Sequence, residues 1–84
     1  MLESEITNRR NILANAQLKL ADLNTFLTVL KTKEASEQNE KVKNSMRTTI
    51  NYYESEKLKV QHTIESTQRE ILNLLDSNKS TLKR

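Results

Sequence analysis

Eighty-four residues with no glycine, proline, cysteine or tryptophan, 35% hydrophobic and 30% charged, exclude disulfides, thiolate metal sites and glycine-dependent hairpin turns, and leave packing alone to hold one small domain. Fourteen basic and eleven acidic side chains leave a net charge of +3, and the two signs are interleaved, which suits a solvated helical surface better than a nucleic-acid-binding stripe. No apolar run nears the roughly 20 residues that span a bilayer, and no signal-peptide pattern opens the chain. The expected setting is soluble and intracellular, cytoplasmic or nuclear, with no membrane insertion.

The first element announces itself by spacing. Leu2, Ile6, Arg9, Leu13, Ala16, Leu20, Leu23, Leu27 and Leu30 recur at alternating steps of four and three, the period of one side of an α-helix in a heptad seam. A first helix is expected over about 2–33. Carried forward, the same register falls on Glu34, Glu37, Lys41, Asn44 and Thr48, all polar, so the stripe stops there.

A turn is expected over about 34–39, because Ala35 is the only apolar residue between Lys31 and Lys41. Ser36 and Asn39 both have side-chain oxygens suited to an N-cap. Asparagine also tolerates the left-handed conformation that glycine commonly supplies at a helix end.

The second element is a ladder of equal regularity, Met46, Ile50, Tyr53, Lys57, Val60, Ile64, Thr67, Ile71 and Leu74. It predicts a helix over about 40–77, followed by a basic tail, 78–84, that carries Lys79, Lys83 and Arg84. The two ladders are out of frame by two residues, whereas a single continuous coil absorbs insertions of three or four. The chain is therefore expected to be all-α, an antiparallel two-helix coiled-coil hairpin spanning residues 1–84 as one domain. A turn centred between 34 and 39 sets residue i opposite residue 73 minus i. Leu27 then faces Met46, Leu20 faces Tyr53, Phe26 lies near Thr49 and Ile12 near Thr63.

A two-helix seam of this length is thin for an independent fold, and large apolar residues flank it. Ile12, Phe26, Val42 and Thr49 widen one side, and two hairpins packed through that side would form a four-helix bundle. In the 73 register Leu74 and the residues after it overhang the first helix, with Leu72 and Leu75 turned away from the ladder, so a partner is expected to cover them. Tyr52 sits about 100 degrees around the helix from the inward Tyr53 and offers an aromatic anchor. The expected partner interface is Ile12, Phe26, Tyr52, Leu72, Leu74 and Leu75.

Chemical motifs are nearly absent. The single His62 stands on the outer face, with Glu65 close by in sequence, and reads as a solvated histidine without further converging ligands. No base stands beside an activated nucleophile, and two long helices offer no concave pocket. No enzyme, cofactor or metal is expected.

A hairpin of this size resembles, in architecture alone, the Rho-binding hairpin modules of the protein-kinase-C-related kinases and the Rop type of RNA-binding hairpin dimer. In the first, Ile6 to Leu20 would correspond to the leading helix, with Asn15-Ala16 where those modules usually have Gly-Ala. The second implies dense seam alanines, which this chain lacks. No functional residue is carried over from either. The expected function is a non-catalytic protein–protein interaction or oligomerisation module, a scaffold or adaptor whose partner is another protein's helix or a second copy. The alternative is a nucleic-acid-binding hairpin dimer using Arg9, Arg10, Lys19, Lys57 and Lys59, with affinity falling steeply as salt rises. A small-GTPase-binding hairpin comes third.

Overall fold

In the computed structural model two α-helices, α1 (Leu2–Ser36) and α2 (Glu40–Leu82), fold back on each other. Residues 2–82 are described, those from 78 onward by their backbone alone. Leucine, lysine and glutamate recur through both helices, and these straight-chain residues lose little rotamer freedom in a helix. Exposed Thr25, Thr28 and Thr32 donate their hydroxyls to carbonyls four residues back, so their side chains are satisfied without leaving the helix. The result is an all-α hairpin about 68 Å long and 14 Å across.

Burial follows the two stripes. Within α1 every stripe residue is buried or half-buried, and every other residue up to Lys33 is exposed. The deepest side chains are Leu23, Leu27, Ile50, Val60 and Ile71, joined by Thr67, the one buried polar residue among those described. Methyl-bearing Thr67 packs as a near-isostere of valine there, and no buried side-chain polar atom among the described residues lacks a partner.

The reversal is shorter than the sequence suggests. Glu34 and Glu37, which end the apolar stripe, are both half-buried, and α1 continues through Ser36 instead of stopping near 33. Glu34 stays in the helix because its carboxylate, on the inward side, accepts from Arg47 Nη2 at 2.7 Å. The turn is then only Glu37, Gln38 and Asn39. Its backbone needs no left-handed residue, since none of these three has a positive φ. Glu37 N–H donates to the Glu34 carbonyl, and Glu37 Oε1 accepts from the Asn39 amide at 3.0 Å.

Asn39 starts α2. Its Oδ1 accepts from the amides of Lys41 at 3.0 Å and Val42 at 3.3 Å, and its carbonyl accepts from Lys43 N–H. Two of the four orphan donors of the helix are satisfied by one side chain. Ser36, the other candidate cap, instead returns its hydroxyl to Thr32 and Lys33 at the end of α1. Asn39→Ala is expected to lower the urea midpoint by the equivalent of about 1 kcal/mol with an unchanged slope. An unchanged midpoint would contradict the capping role.

The pairing register also differs from the 73 rule. Arg9 bonds Glu70, Phe26 meets Tyr53 and Glu34 bonds Arg47, which places residue i opposite about residue 80 minus i. Leu27 is thus level with Tyr53 instead of Met46, Leu20 with Val60, and Ile12 with Gln68 instead of Thr63. The displacement is one heptad. Two antiparallel seams a heptad apart bury the same kinds of residue, so apolar spacing does not choose between them. This register joins Arg9 to Glu70 and Arg47 to Glu34 across the seam. It also brings Leu74 level with Ile6, where Leu74 is half-buried and not overhanging. The side chains of the expected basic tail, Lys79, Lys83 and Arg84, lie outside the described residues.

Candidate interaction surfaces

Two packed helices leave two long flanks, one on each side of the seam, and the exposed apolar residues divide between them. On the first, Tyr53 points inward from α2 and is half-buried. The edge of one ring meets the face of the other where it approaches Phe26 of α1, centroids 4.8 Å apart at 86°. Tyr52, one residue earlier and so about 100 degrees around the helix, projects outward with its ring 5.1 Å from Tyr53 at 84°. Such edge-to-face pairs contribute about 0.5–1.5 kcal/mol each. The cluster is only half covered: Phe26 is 42% exposed and Tyr52 59%.

Val29, one turn after Phe26, and Val42, three turns before Tyr53, extend this flank and are both exposed. Ile12, four turns before Phe26, continues it in the other direction and is 50% exposed. Val29 is absent from the interface expected from sequence. Its signal was available: it follows Phe26 by three residues, the spacing of neighbours on a helix surface.

The second flank carries Leu72 and Leu75, also exposed. Here an open, shallow groove is lined by Arg10, Leu13, Gln68, Ile71 and Leu72. Leu58 lies four turns before Leu72 on the same side and is exposed as well. The six expected interface residues therefore do not form one surface. Ile12, Phe26 and Tyr52 share one flank, Leu72 and Leu75 occupy the other, and Leu74 sits at the edge of the seam beside Arg9 and Glu70.

Charged groups border both flanks and largely neutralise one another. Arg9 donates its Nε to Glu70 at 2.9 Å and Nη1 to the Glu5 carbonyl at 3.2 Å. Lys59 reaches Glu56 one turn away on α2. The hydrogen bonds that Arg47 donates to Glu34, with the charge of that carboxylate, raise the Arg47 pKa further above its usual range. A hydrogen bond from Lys31 holds the Glu54 carboxyl below its ordinary value. Each pair keeps at least one partner more than half exposed, so solvent screens it and it contributes little to stability.

Glu54 gives this arrangement a pH signature. A carboxyl depressed in the folded state contributes stability above its unfolded pKa and loses it as pH falls through the lower, folded value. In an NMR titration the Glu54 midpoint is expected below the ordinary glutamate range, and Lys31→Gln should return it to that range. A Glu54 midpoint indifferent to Lys31→Gln would show that the cross-helix pair does not form.

His62 is exposed, and among the described residues no group of three or more His, Cys, Asp or Glu is placed to hold a metal ion. No described helix is long and apolar enough to cross a membrane. Compared with protein-family models, curated proteins and solved structures, the chain matches none. The fold is a small two-helix all-α domain of a kind compatible with generic helical association, and the flanks carry what further chemistry there is.

Proposed function

We propose that the chain is a non-catalytic coiled-coil association module that pairs with a second copy of itself to form a four-helix bundle. The observation that carries this reading is the half-covered ring cluster of Phe26, Tyr53 and Tyr52. Aromatic side chains are among the residues most enriched in protein interfaces. The thin core points the same way: among the described residues no side chain is completely removed from solvent, and a second layer of helices would supply the missing burial.

The basic residues that would carry nucleic-acid binding are a poorer basis for function. Arg9 and Lys59 are already engaged by Glu70 and Glu56, and a carboxylate beside each cation repels phosphate. The test is a pair of titrations at low and moderate salt, one following self-association by light scattering and the other following binding of a fluorescent RNA duplex. Arg9→Gln with Lys59→Gln is expected to leave self-association within about twofold of wild type, and neither protein should bind the duplex appreciably at moderate salt. Tight duplex binding that weakens steeply with salt and is lost in the double variant would replace this reading with the nucleic-acid one.

A further inference from the structure

Resting on that reading for its effect on assembly, we propose that the hairpin is a register switch. In it α2 slides along α1 by one heptad, about 10 Å, between the observed 80 register, which builds the ring cluster, and a minor 73 register, which takes it apart.

The seam accepts both positions. A shift of seven residues returns each seam side chain to an equivalent seat, so Leu20 exchanges Val60 for Tyr53, Leu13 exchanges Thr67 for Val60, and Leu27 exchanges Tyr53 for Met46. Half-buried Lys57 moves from Leu23 to Ala16, whose small side chain leaves its methylenes an easier path to water. Charge pairs are exchanged as well as lost. Arg9 leaves Glu70 and Arg47 leaves Glu34, while Lys19 comes beside Glu56, and Lys31 trades Glu54 for Glu40. Against this, the slid state withdraws Leu74 from its half-buried place, sets Lys43 against Leu30 and brings Glu5 beside Glu70. These differences are few and mostly at exposed sites, which puts the slid register at about 0.1–10% of molecules.

The reversal does not pin either position. The chain has no glycine or proline, and none of Glu37, Gln38 and Asn39 has a positive φ, so no special backbone fixes where the turn must fall. In the 80 register Glu40 starts α2 beyond the level of Ser36, the end of α1. In the 73 register it comes level with Lys33, and residues 34–39 become a connection of ordinary length for paired helices. Asn39 caps α2 in both. The hold on the 80 register at this end is Glu34, whose side chain is only 18% exposed and whose carboxylate is bonded by Arg47. Sliding brings Arg47 level with Phe26, about 12 Å along the axis from Glu34.

The same slide carries Tyr53 to the level of Leu20, about 9 Å along the axis from Phe26. The edge-to-face contact of Phe26 with Tyr53 therefore exists in one register only. A second copy that docks on the cluster selects that register, and a slid hairpin is withdrawn from assembly.

The absence of native cysteine lets pairs of introduced cysteines report the register. Gln61 is level with position 19 in the 80 register and with position 12 in the 73 register. Arg10, Gln17 and Asn24 follow one another at heptad spacing along the flank away from Phe26. Gln17→Cys with Gln61→Cys thus reports the 80 register, and Arg10→Cys with Gln61→Cys the 73 register. Asn24→Cys with Gln61→Cys is the control, since Asn24 is nearer than Arg10 to position 19 and the slide carries it away. Each variant is checked by circular dichroism and treated at low micromolar concentration with dibromobimane, a short thiol cross-linker, and the internally linked monomer is followed in time. The Gln17 pair should link fastest, and the Arg10 pair several-fold faster than the Asn24 pair. Adding Arg47→Gln, which frees Glu34, should raise the Arg10 rate by about two- to fivefold. Raising the protein concentration into the range where light scattering finds dimer should lower it. An Arg10 rate no higher than the Asn24 rate would show a single register and overturn the proposal. An Arg10 rate that stays constant as dimer forms would leave the slide but overturn the switch. A chain that is monomeric at every concentration refutes self-association, and with it the effect on assembly, while the Arg10 and Asn24 rates still decide the slide.

Discussion

Phe26→Glu is expected to convert the protein from dimer to monomer at micromolar concentration while keeping most of its helical far-ultraviolet signal. The Phe26 ring sits where the proposed interface has its centre, 42% exposed. A glutamate there would have to be stripped of water with no cation to receive it. A carboxylate on the facing stretch of α2, that of Glu56, makes matters worse. Self-association should weaken by about ten- to a hundredfold, at one factor of ten per 1.4 kcal/mol. Within the protomer the loss is smaller, the edge-to-face contact with Tyr53 contributing about 0.5–1.5 kcal/mol. Leu18→Ser serves as the control: Leu18 is 67% exposed and lies on neither flank, so its variant should remain a dimer. Equal masses for wild type and Phe26→Glu would remove the ring cluster from the interface.

Leu27→Ala should be the most damaging single truncation, because Leu27 is only 3% exposed, the least of the core residues. Removing a buried leucine to its Cβ costs about 2–5 kcal/mol, the spread depending on how far the surroundings collapse into the space. A hairpin of two helices has few neighbours to close in, yet it is also thin enough for water to enter. For a domain of this size the thermal midpoint should fall by about 4–8 °C for each kcal/mol, and residual helicity should drop with it. Leu18→Ala, earlier in the same helix and exposed, should shift the midpoint by less than about 0.5 kcal/mol in equivalent stability. Similar losses for the two variants would mean that the seam does not run where the structure places it.

The two helices and their reversal are legible in the sequence because spacing alone decides them. Leu2 through Leu30 and Met46 through Leu74 are the residues withdrawn from solvent, and a two-residue change of frame between them requires a turn. The register is less legible. Apolar seams one heptad apart look alike, and the choice rests on Glu34 and Glu37, whose polarity suggests that the helix has ended. In fact Glu34 remains in α1 with its carboxylate on Arg47, and capping by Asn39 completes the reversal in three residues. The surface shows the same split. Phe26 and Tyr52 are identifiable from their positions beside the ladder, but their meeting through Tyr53 depends on the register. The 73 rule brings Phe26 to Thr49 and sends Leu74 past the end of α1. The opposite-charge pairs that accompany the observed register are Arg9 with Glu70 and Arg47 with Glu34.

The most direct test of self-association is sedimentation equilibrium of the wild-type chain over a range from low to high micromolar concentration, at low and moderate salt. A single monomer–dimer equilibrium is expected, with the dimer predominant at the upper end. Its constant should depend only weakly on salt, since the proposed contact is aromatic and aliphatic. A monomer mass at every concentration would contradict self-association outright.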